Sequence, residues 1–145
     1  MKALVTGGGG FLGKAIVRLL LDKNYAVRSF SRNEYPELTD LGVEHYRGEL
    51  ADANAVSPAV EDCDLVFHVA AKAGVWGSFE DYFRANVVGT ENIIRACRMQ
   101  GVRRLVYTSS PSVVFDGTDM EGVDESVPYP QHFHAYYPET KARAE

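Results

Sequence analysis

A tyrosine and a lysine near one end of the 145-residue chain have the spacing that acid–base chemistry needs. In YPETK, Tyr137 and Lys141 are four positions apart, so on a helix they share a face with Cβ atoms about 5–6 Å apart. Pro138 is compatible with the first turn of such a helix, where its missing N–H costs nothing. A nearby ammonium group favours the phenolate form of a tyrosine. Tyr137 is therefore the candidate proton donor and acceptor, and Lys141 is the group that tunes it.

A glycine-rich turn near the other end has the form of a phosphate cradle. The segment TGGGGFLG follows a short apolar run and precedes a stretch with helical periodicity, which is the order of elements that dinucleotide binding requires. Gly7 permits the tight turn, Gly10 lets a pyrophosphate approach the backbone N–H groups, and Gly13 lets the helix lie close on the strand. Phe11 and Leu12, at the start of that helix, complete the predicted cofactor contact.

The elements that must position these groups alternate along the chain. The helix after the glycine turn is predicted to bury one apolar face, made of Leu12, Ala15, Ile16, Leu19 and Leu20. Apolar runs bounded by turn residues predict strands at 2–6, 26–30, 43–46, 64–69 and 103–108. Further helices are predicted at 52–60 and 79–100. This alternation predicts an α/β fold, a doubly wound parallel sheet of the Rossmann type, with ligand at the carboxyl ends of the strands.

The composition indicates one soluble domain. With 46% hydrophobic and 24% charged residues the chain can bury an ordinary core, and no apolar run approaches the roughly 18 residues of a membrane span. Cys63 and Cys97 fit no metal spacing, so the reducing cytoplasm is the expected compartment. The formal charge of −5 argues against a nucleic acid partner. His132 and His134 lack a carboxylate or cysteine at ligand spacing, so no metal site is predicted.

The glycine turn and YPETK together resemble the extended branch of the short-chain dehydrogenases/reductases. Within that branch, LVYTSSPSVVF at 105–115 is similar to the 3β-hydroxysteroid dehydrogenase and sterol 4-carboxylate dehydrogenase group, and to bacterial reductases of long-chain 2-alkyl-3-oxoalkanoates. The resemblance implies hydride transfer with a nicotinamide cofactor. Family members continue for roughly as long again, so we expect residues 1–145 to be a cofactor domain truncated before the C-terminal substrate lobe. We expect the whole protein to be a homodimer.

The resemblance also implies roles for residues beyond the first two. Ser110 matches the catalytic serine, which donates a hydrogen bond to the substrate oxygen, with Ser109 beside it. Lys141 is expected to hold the nicotinamide ribose. Asn86 lies on the inward face of the long helix and is expected to support Lys141. Glu49 begins a pair that corresponds to the Asp-Leu pair beside the adenine. The rest of this predicted cofactor contact is Leu50, then Ala70 and Ala71, small residues in a segment that passes over the cofactor.

The choice between NAD and NADP depends on two residues after the second strand. In relatives that use NAD an acidic residue occupies this place and binds the ribose 2′-hydroxyl. Here Ser31 stands in that position and Arg32 follows, and a guanidinium can grip a 2′-phosphate in a forked contact. We therefore predict NADP(H), with NAD as the alternative.

Loop residues indicate the character of the substrate. Val75, Trp76 and Phe115 favour an apolar small molecule, a 3-oxo or 3β-hydroxy steroid or a long-chain 3-oxoalkanoate, although the same side chains could pack against a further lobe. Two other functions stay open: a nucleotide-sugar epimerase or dehydratase with bound NAD, and a non-catalytic module that senses NADP.

Overall fold

Five parallel strands form one sheet in the order β3-β2-β1-β4-β5 in the computed structural model, which describes residues 1–145. The strands are β1 Lys2–Thr6, β2 Ala26–Ser31, β3 Glu44–Arg47, β4 Leu65–His68 and β5 Arg104–Tyr107. The helices are α1 Phe11–Asp22, α2 Pro36–Asp40, α3 Ala53–Val60, α4 Phe79–Tyr82, α5 Gly89–Met99 and α6 Tyr136–Ala144, with a π-helical segment at Phe83–Val88 and a 3₁₀ turn at Pro111–Val114. The predicted doubly wound sheet is confirmed.

The central strand β1 pairs with β2 on one side and with β4 on the other. Its residues from Ala3 to Thr6 are completely buried, which accounts for its nearly continuous apolar sequence. The strand order reverses direction between β1 and β4. A crevice at the carboxyl ends of these two strands is where such sheets bind ligands.

A hydrophobic core lies on each face of the sheet. On one face α3 and α5 cover a cluster formed by Leu4, Phe30, Val56, Ala59, Val60, Cys63, Val66, Ile93, Ala96 and Cys97. On the other face α1 and α2 cover a cluster formed by Ala3, Val5, Val17, Leu20, Val27, Leu38 and Val43. Because both faces are covered, the strands carry apolar residues at successive positions.

The predicted apolar face of α1 is wrong by about one residue. Leu12 and Leu19 are 43% and 59% exposed, whereas the buried positions are Gly13, Val17 and Leu20. Gly13 sets this rotation, since a Cβ there would come within 2.8 Å of the carbonyl carbon of Gly7. Because the helix directs its glycine toward the turn, Leu12 and Leu19, which periodicity assigned to the core, face away, whereas Leu20 is buried as predicted.

The helix predicted at 79–100 is interrupted by the π-helical segment Phe83–Val88, which sequence periodicity does not reveal. One extra residue per turn rotates the following side chains, and such segments often occur at functional sites. Asn86 lies inside it and is only 2% exposed. Helix α2 is also absent from the sequence prediction, because its five residues are too few to show a helical period. No helix combines the length and apolar character needed to span a membrane.

Candidate functional site

A cleft of about 730 Å³ opens at the carboxyl ends of the central strands. Most of the residues predicted to contact a cofactor line it: Gly7, Gly10, Phe11, Leu12, Gly13, Ser31, Arg32, Glu49, Leu50, Ala70 and Ala71. Asn86, Tyr137 and Lys141, which the sequence places with them, are not part of the lining. The structure thus gathers residues from four separate loops into one concave surface.

The glycine turn forms the floor of this cleft through backbone geometry. Gly7 has φ +70°, a left-handed conformation that favours glycine, and a Cβ on it would lie 3.1 Å from the Cα of Ala70. The N–H of Gly10 donates to the carbonyl of Gly7 at 2.9 Å, which closes the turn. A Cβ on Gly9 would overlap the ring of Tyr35. Backbone N–H groups at the start of α1 are therefore left open to an anion.

A buried polar chain fixes the β4 loop against this turn. The Oγ1 of Thr6 accepts hydrogen bonds from the N–H groups of Val69 and Ala70 at 3.0 and 3.1 Å and lies 2.8 Å from Nδ1 of His68. Nε2 of His68 lies 2.9 Å from Oγ1 of Thr90, whose hydroxyl donates to the carbonyl of Asn86 at 2.6 Å.

These contacts fix the protonation of His68. Because the proton of Thr90 is used on a carbonyl, His68 must donate from Nε2 and accept at Nδ1 from Thr6. Burial, with a smaller effect of the Lys141 charge, lowers the pKa of His68 to about 3. The imidazole is therefore neutral at physiological pH and serves as a structural link, as expected for a histidine away from the reacting atoms.

At one end of the cleft the side chain of Arg47 contacts the backbone of Arg32, although Arg47 itself is not part of the lining. Arg32 lines the cleft, and its carbonyl accepts a hydrogen bond from Nε of Arg47 at 3.0 Å. Both arginines are exposed and neither forms an ion pair with a carboxylate. The hydroxyl of Ser31 donates to the carbonyl of Asn33 at 2.8 Å. Sequence reasoning missed Arg47 because only the register of β3 beside β2 brings it to Ser31.

Glu49 and Leu50 occupy the neighbouring wall, and the long helix holds them there. The amide of Asn92 donates to the carbonyl of Leu50 at 2.9 Å. A Cβ on Gly89 would lie only 2.6 Å from the Cβ of Leu50. The close approach of α5 to this loop therefore depends on a glycine that motif spacing does not single out.

Three further charged residues, which the sequence did not indicate, line the opposite end of the cleft: Lys72, Asp81 and Arg84. The ammonium of Lys72 lies 5.1 Å from the ring centroid of Tyr82, within the range of a cation–π contact. Asp81 closes the N-terminus of α4 in a reciprocal capping box with Ser78. The cleft therefore has charged residues at both ends, Arg32 at one end and Lys72, Asp81 and Arg84 at the other.

Asn86 connects the β4 loop to helix α6. Its Oδ1 accepts from the N–H of Lys72 at 2.7 Å, and its Nδ2 donates to the carbonyl of Lys72 and to Oγ1 of Thr140, both at 3.0 Å. The structure thus commits the amide to these partners and not to the cleft. Its contact with α6 is through Thr140, the residue beside Lys141, so the predicted support of that lysine is indirect.

Lys141 is 2% exposed although it carries an ammonium group. Its Nζ donates to the carbonyl of Thr108 at 2.6 Å and lies 4.0 Å from the ring centroid of Tyr107. Burial lowers the pKa of Lys141 to about 8, against a smaller opposing effect of the Glu145 carboxylate. Tyr137 lies one turn earlier on α6 and is half-buried, while Tyr136 is 47% exposed.

Ser110 lies directly after the segment that Lys141 grips. Its Oγ is 2.8 Å from Oγ of Ser112 and accepts from the N–H of Ser112 at 3.3 Å, so it caps the 3₁₀ turn. The 3₁₀ turn and α6 are in contact. Ser110 and Lys141 therefore lie at the end of β5, and Tyr137 is one helical turn from Lys141 on α6.

Large apolar side chains are exposed on this side of the chain. Trp76 is 86% exposed, Val75 78% and Phe115 47%. The ring of Tyr136 packs edge-on against Phe79 with centroids 5.6 Å apart. Trp76, Val75 and Phe115 belong to the loops that the sequence associates with the substrate.

The fold and the cleft define a nucleotide-binding α/β domain with a polar group at the end of its fifth strand. The sequence model of the 3-beta hydroxysteroid dehydrogenase/isomerase family matches residues 4–145, and the chain belongs to this family.

Individual proteins agree with that assignment. The chain is 54% identical to a 2-alkyl-3-oxoalkanoate reductase of Stenotrophomonas maltophilia, over 100% of this chain and 44% of that protein. It is 42% identical to a 3 beta-hydroxysteroid dehydrogenase/Delta 5-->4-isomerase of Mycobacterium tuberculosis, over 99% of this chain and 41% of that protein. The chain therefore spans less than half the length of either relative.

A solved structure shows the same architecture. The UDP-glucose 4-epimerase of Thermus thermophilus, in complex with NAD, superposes with a TM-score of 0.84 at 33% identity, over 99% of this chain and 48% of that one. The likeness extends over all five strands and confirms the predicted membership of the extended short-chain dehydrogenases/reductases.

Proposed function

We propose that this chain is the cofactor-binding domain of an NADP(H)-dependent oxidoreductase that interconverts a ketone and a secondary alcohol on an apolar substrate. One observation carries the proposal: the glycine-floored cleft and the buried Lys141, bonded to the carbonyl of Thr108 just after β5, lie at the carboxyl ends of the same sheet. The activities for which its two relatives are named, reduction of 3-oxoalkanoates and dehydrogenation of 3β-hydroxysteroids, share this chemistry.

The residues of the cleft are suited to a dinucleotide. The left-handed Gly7, the open N-terminus of α1 and the small side chains of Ala70 and Ala71 leave room for a pyrophosphate against the backbone. A nicotinamide, when bound, supplies or accepts the hydride. Everything else in the reaction is assigned to side chains of the chain itself.

The side chains divide the remaining work. Tyr137 donates a proton to the carbonyl oxygen in reduction and takes it back from the alcohol in oxidation. Ser110 donates a hydrogen bond to the same oxygen and stabilises the charge that develops there. Lys141 places a positive charge near the phenol, and its burial makes that charge act in a medium where it is weakly screened.

The preference for NADP rests on the adenosine end of the cleft. Ser31 stands where a ribose-binding acid is expected in NAD enzymes, and the guanidinium of Arg32 has no carboxylate partner. Arg47, hydrogen-bonded to the backbone of Arg32, adds a second positive charge. Two unpaired guanidinium groups on a chain of net charge −5 are suited to a 2′-phosphate.

The test of the chemistry is a pair of tyrosine variants in enzyme that carries residues 1–145. Tyr137→Phe should lower turnover by roughly 10²-fold or more, since general acid–base groups contribute about 10²–10⁴. The adjacent Tyr136→Phe is the matched control and should leave turnover nearly unchanged. Full turnover by Tyr137→Phe would falsify the assignment, whereas calorimetry with this chain should show cofactor binding intact in both variants.

The test of the cofactor is calorimetric titration of this chain with NADPH and NADH. We expect tighter binding of NADPH, and Arg32→Ala should remove that difference while leaving NADH binding unchanged. Arg47→Ala should reduce it partly, and Arg18→Ala, another surface arginine, should not. Tighter binding of NADH by the unmodified chain would overturn the NADP proposal.

A nucleotide-sugar epimerase is the second candidate, because the Thermus enzyme of that name is 33% identical over this chain and was solved with NAD. An epimerase keeps its nicotinamide bound through the catalytic cycle. Release of free oxidised cofactor in step with substrate reduction supports the reductase, and turnover without such release supports the epimerase.

A further inference from the structure

Lys141 is a buried cation with few polar partners. Its Nζ has one hydrogen-bond acceptor, the carbonyl of Thr108, and it takes part in no ion pair. An ammonium group has three donors, and leaving a charge without compensation inside a protein is costly. Besides the Glu145 carboxylate, which favours the charged form without forming an ion pair, a second stabilising contact for the ammonium is therefore expected.

The ring of Tyr107 is the remaining partner. The ammonium lies 4.0 Å from its centroid, well inside the roughly 6 Å at which an aromatic face attracts a cation. The hydroxyl of Tyr107 is buried beside Thr90 and makes no hydrogen bond of ordinary geometry, so the phenol group itself is not anchored. Burial raises the pKa of the Tyr107 phenol, and the ring is therefore neutral wherever Lys141 is charged.

The other titratable groups near Lys141 act less directly. His68 on β4 is neutral, with its ring 5.6 Å from that of Tyr107. Tyr137 and Glu145 lie on or beside α6 itself, and the Glu145 carboxylate opposes the effect of burial on Lys141. On the strand side, therefore, the neutral face of Tyr107 is what meets the ammonium.

We propose that Tyr107 is a positioning residue of the acid–base site, whose aromatic face holds the Lys141 ammonium against the end of β5 and favours its charged form. The inference rests on the proposed function only for the role of Lys141 in the acid–base chemistry of Tyr137. It assigns a task to the ring and none to the hydroxyl, and this distinction makes it testable.

The experiment is an NMR titration of the Lys141 Nζ and Cε signals in this 145-residue chain. Tyr107→Leu removes the aromatic face and should lower the pKa of Lys141 by roughly one unit, as expected for a cation–π contact of about 0.5–2 kcal/mol. Tyr107→Phe keeps the face and should leave the pKa close to that of the unmodified chain. The proposal would be overturned if Tyr107→Leu and Tyr107→Phe gave the same pKa for Lys141, whether that pKa was lowered or unchanged.

The unmodified chain gives an independent readout that does not require a stable variant. Protons on Cε of Lys141 should be shifted upfield by the ring current of Tyr107, and ordinary lysine shifts there would refute the contact. Tyr107→Met replaces Tyr107→Leu should that variant fail to fold. None of these measurements uses turnover, so an active Tyr137→Phe enzyme would sink the proposed function and leave this result standing.

Discussion

The glycine turn after β1 and the region at the end of β5 build their sites by different means. At the glycine turn the decisive features are backbone conformations and absent side chains: the positive φ of Gly7 and the close approach of Gly13 to the turn. At the end of β5 the decisive features are side chains, with Lys141 held by one carbonyl and one ring. A buried chain of hydrogen bonds through Thr6, His68 and Thr90 runs between the two regions.

The difference teaches which kind of change each region can tolerate. A backbone cradle fails when an atom is added, because nothing in the turn can move aside cheaply. A side-chain site fails when an atom is removed, because a buried partner is then left unsatisfied.

The largest effect should come from adding one methyl group to the turn. In Gly13→Ala the new Cβ would overlap the carbonyl of Gly7, so we expect a loss of about 3 kcal/mol or more in unfolding free energy and no measurable cofactor binding. Gly10→Ala is the control for stability alone, since its Cβ would lie 3.3 Å from the same oxygen. Denaturant unfolding measures the free energy of unfolding of both variants and calorimetry the cofactor binding of Gly13→Ala, and equal losses of unfolding free energy would show that the turn does not distinguish the two glycines.

A smaller loss should follow from removing the amide that joins the two regions. Asn86→Ala leaves the backbone N–H and carbonyl of Lys72 without their partners, at a cost of roughly 2–3 kcal/mol. Asn92→Ala, further along the same helical stretch, removes a single bond to Leu50 and should cost about 1 kcal/mol. Hydrogen exchange should speed up in α6 for the first variant only, and equal exchange in α6 would contradict the link.

The histidine between the regions should make stability depend on acid. The pKa of His68 is lowered from 6.5 to about 3 in the folded chain. At pH values between these two, the imidazole of the unfolded chain therefore binds a proton that the folded chain does not. Unfolding free energy should fall as pH drops through this window, by at most about 1.4 kcal/mol per pH unit. His68→Asn should be less stable at neutral pH and show a shallower slope, and parallel curves would mean that His68 does not carry this dependence.

The smallest effect should be a gain in stability. The pKa of Lys141 is lowered from 10.5 to about 8, so the folded chain bears the cost of the buried ammonium below pH 8 and is relieved of it between pH 8 and 10.5. Lys141→Met should raise the unfolding free energy by about 1 kcal/mol at neutral pH, with the gain vanishing once the pH reaches 10.5. Thermal unfolding at the two pH values measures this, and a loss of stability at neutral pH would show that Lys141 stabilises the fold.

Much of the first region could be predicted from sequence because its signals are local. A strand, a glycine turn and a helix within residues 2–22 specify their own backbone, and the neighbouring loops enter the cleft once the strands are parallel. Arg47 and Tyr35 could not be found in this way, since the first depends on strand register and the second on how its ring fits over Gly9. The rotation of α1 about its axis was not predicted either, because the contact of Gly13 with the turn outweighed the apolar periodicity.

The sequence by itself determined the order of elements, the glycine cradle and the i, i+4 pairing of Tyr137 with Lys141, since each depends on residues a few positions apart. Only the tertiary structure decided what surrounds those groups. The bond from Lys141 to Thr108 joins residues 33 positions apart, and the contact of Thr6 with His68 joins residues 62 apart. Burial and hydrogen-bond partners at such separations follow from how strands and helices pack, and local periodicity carries no information about them.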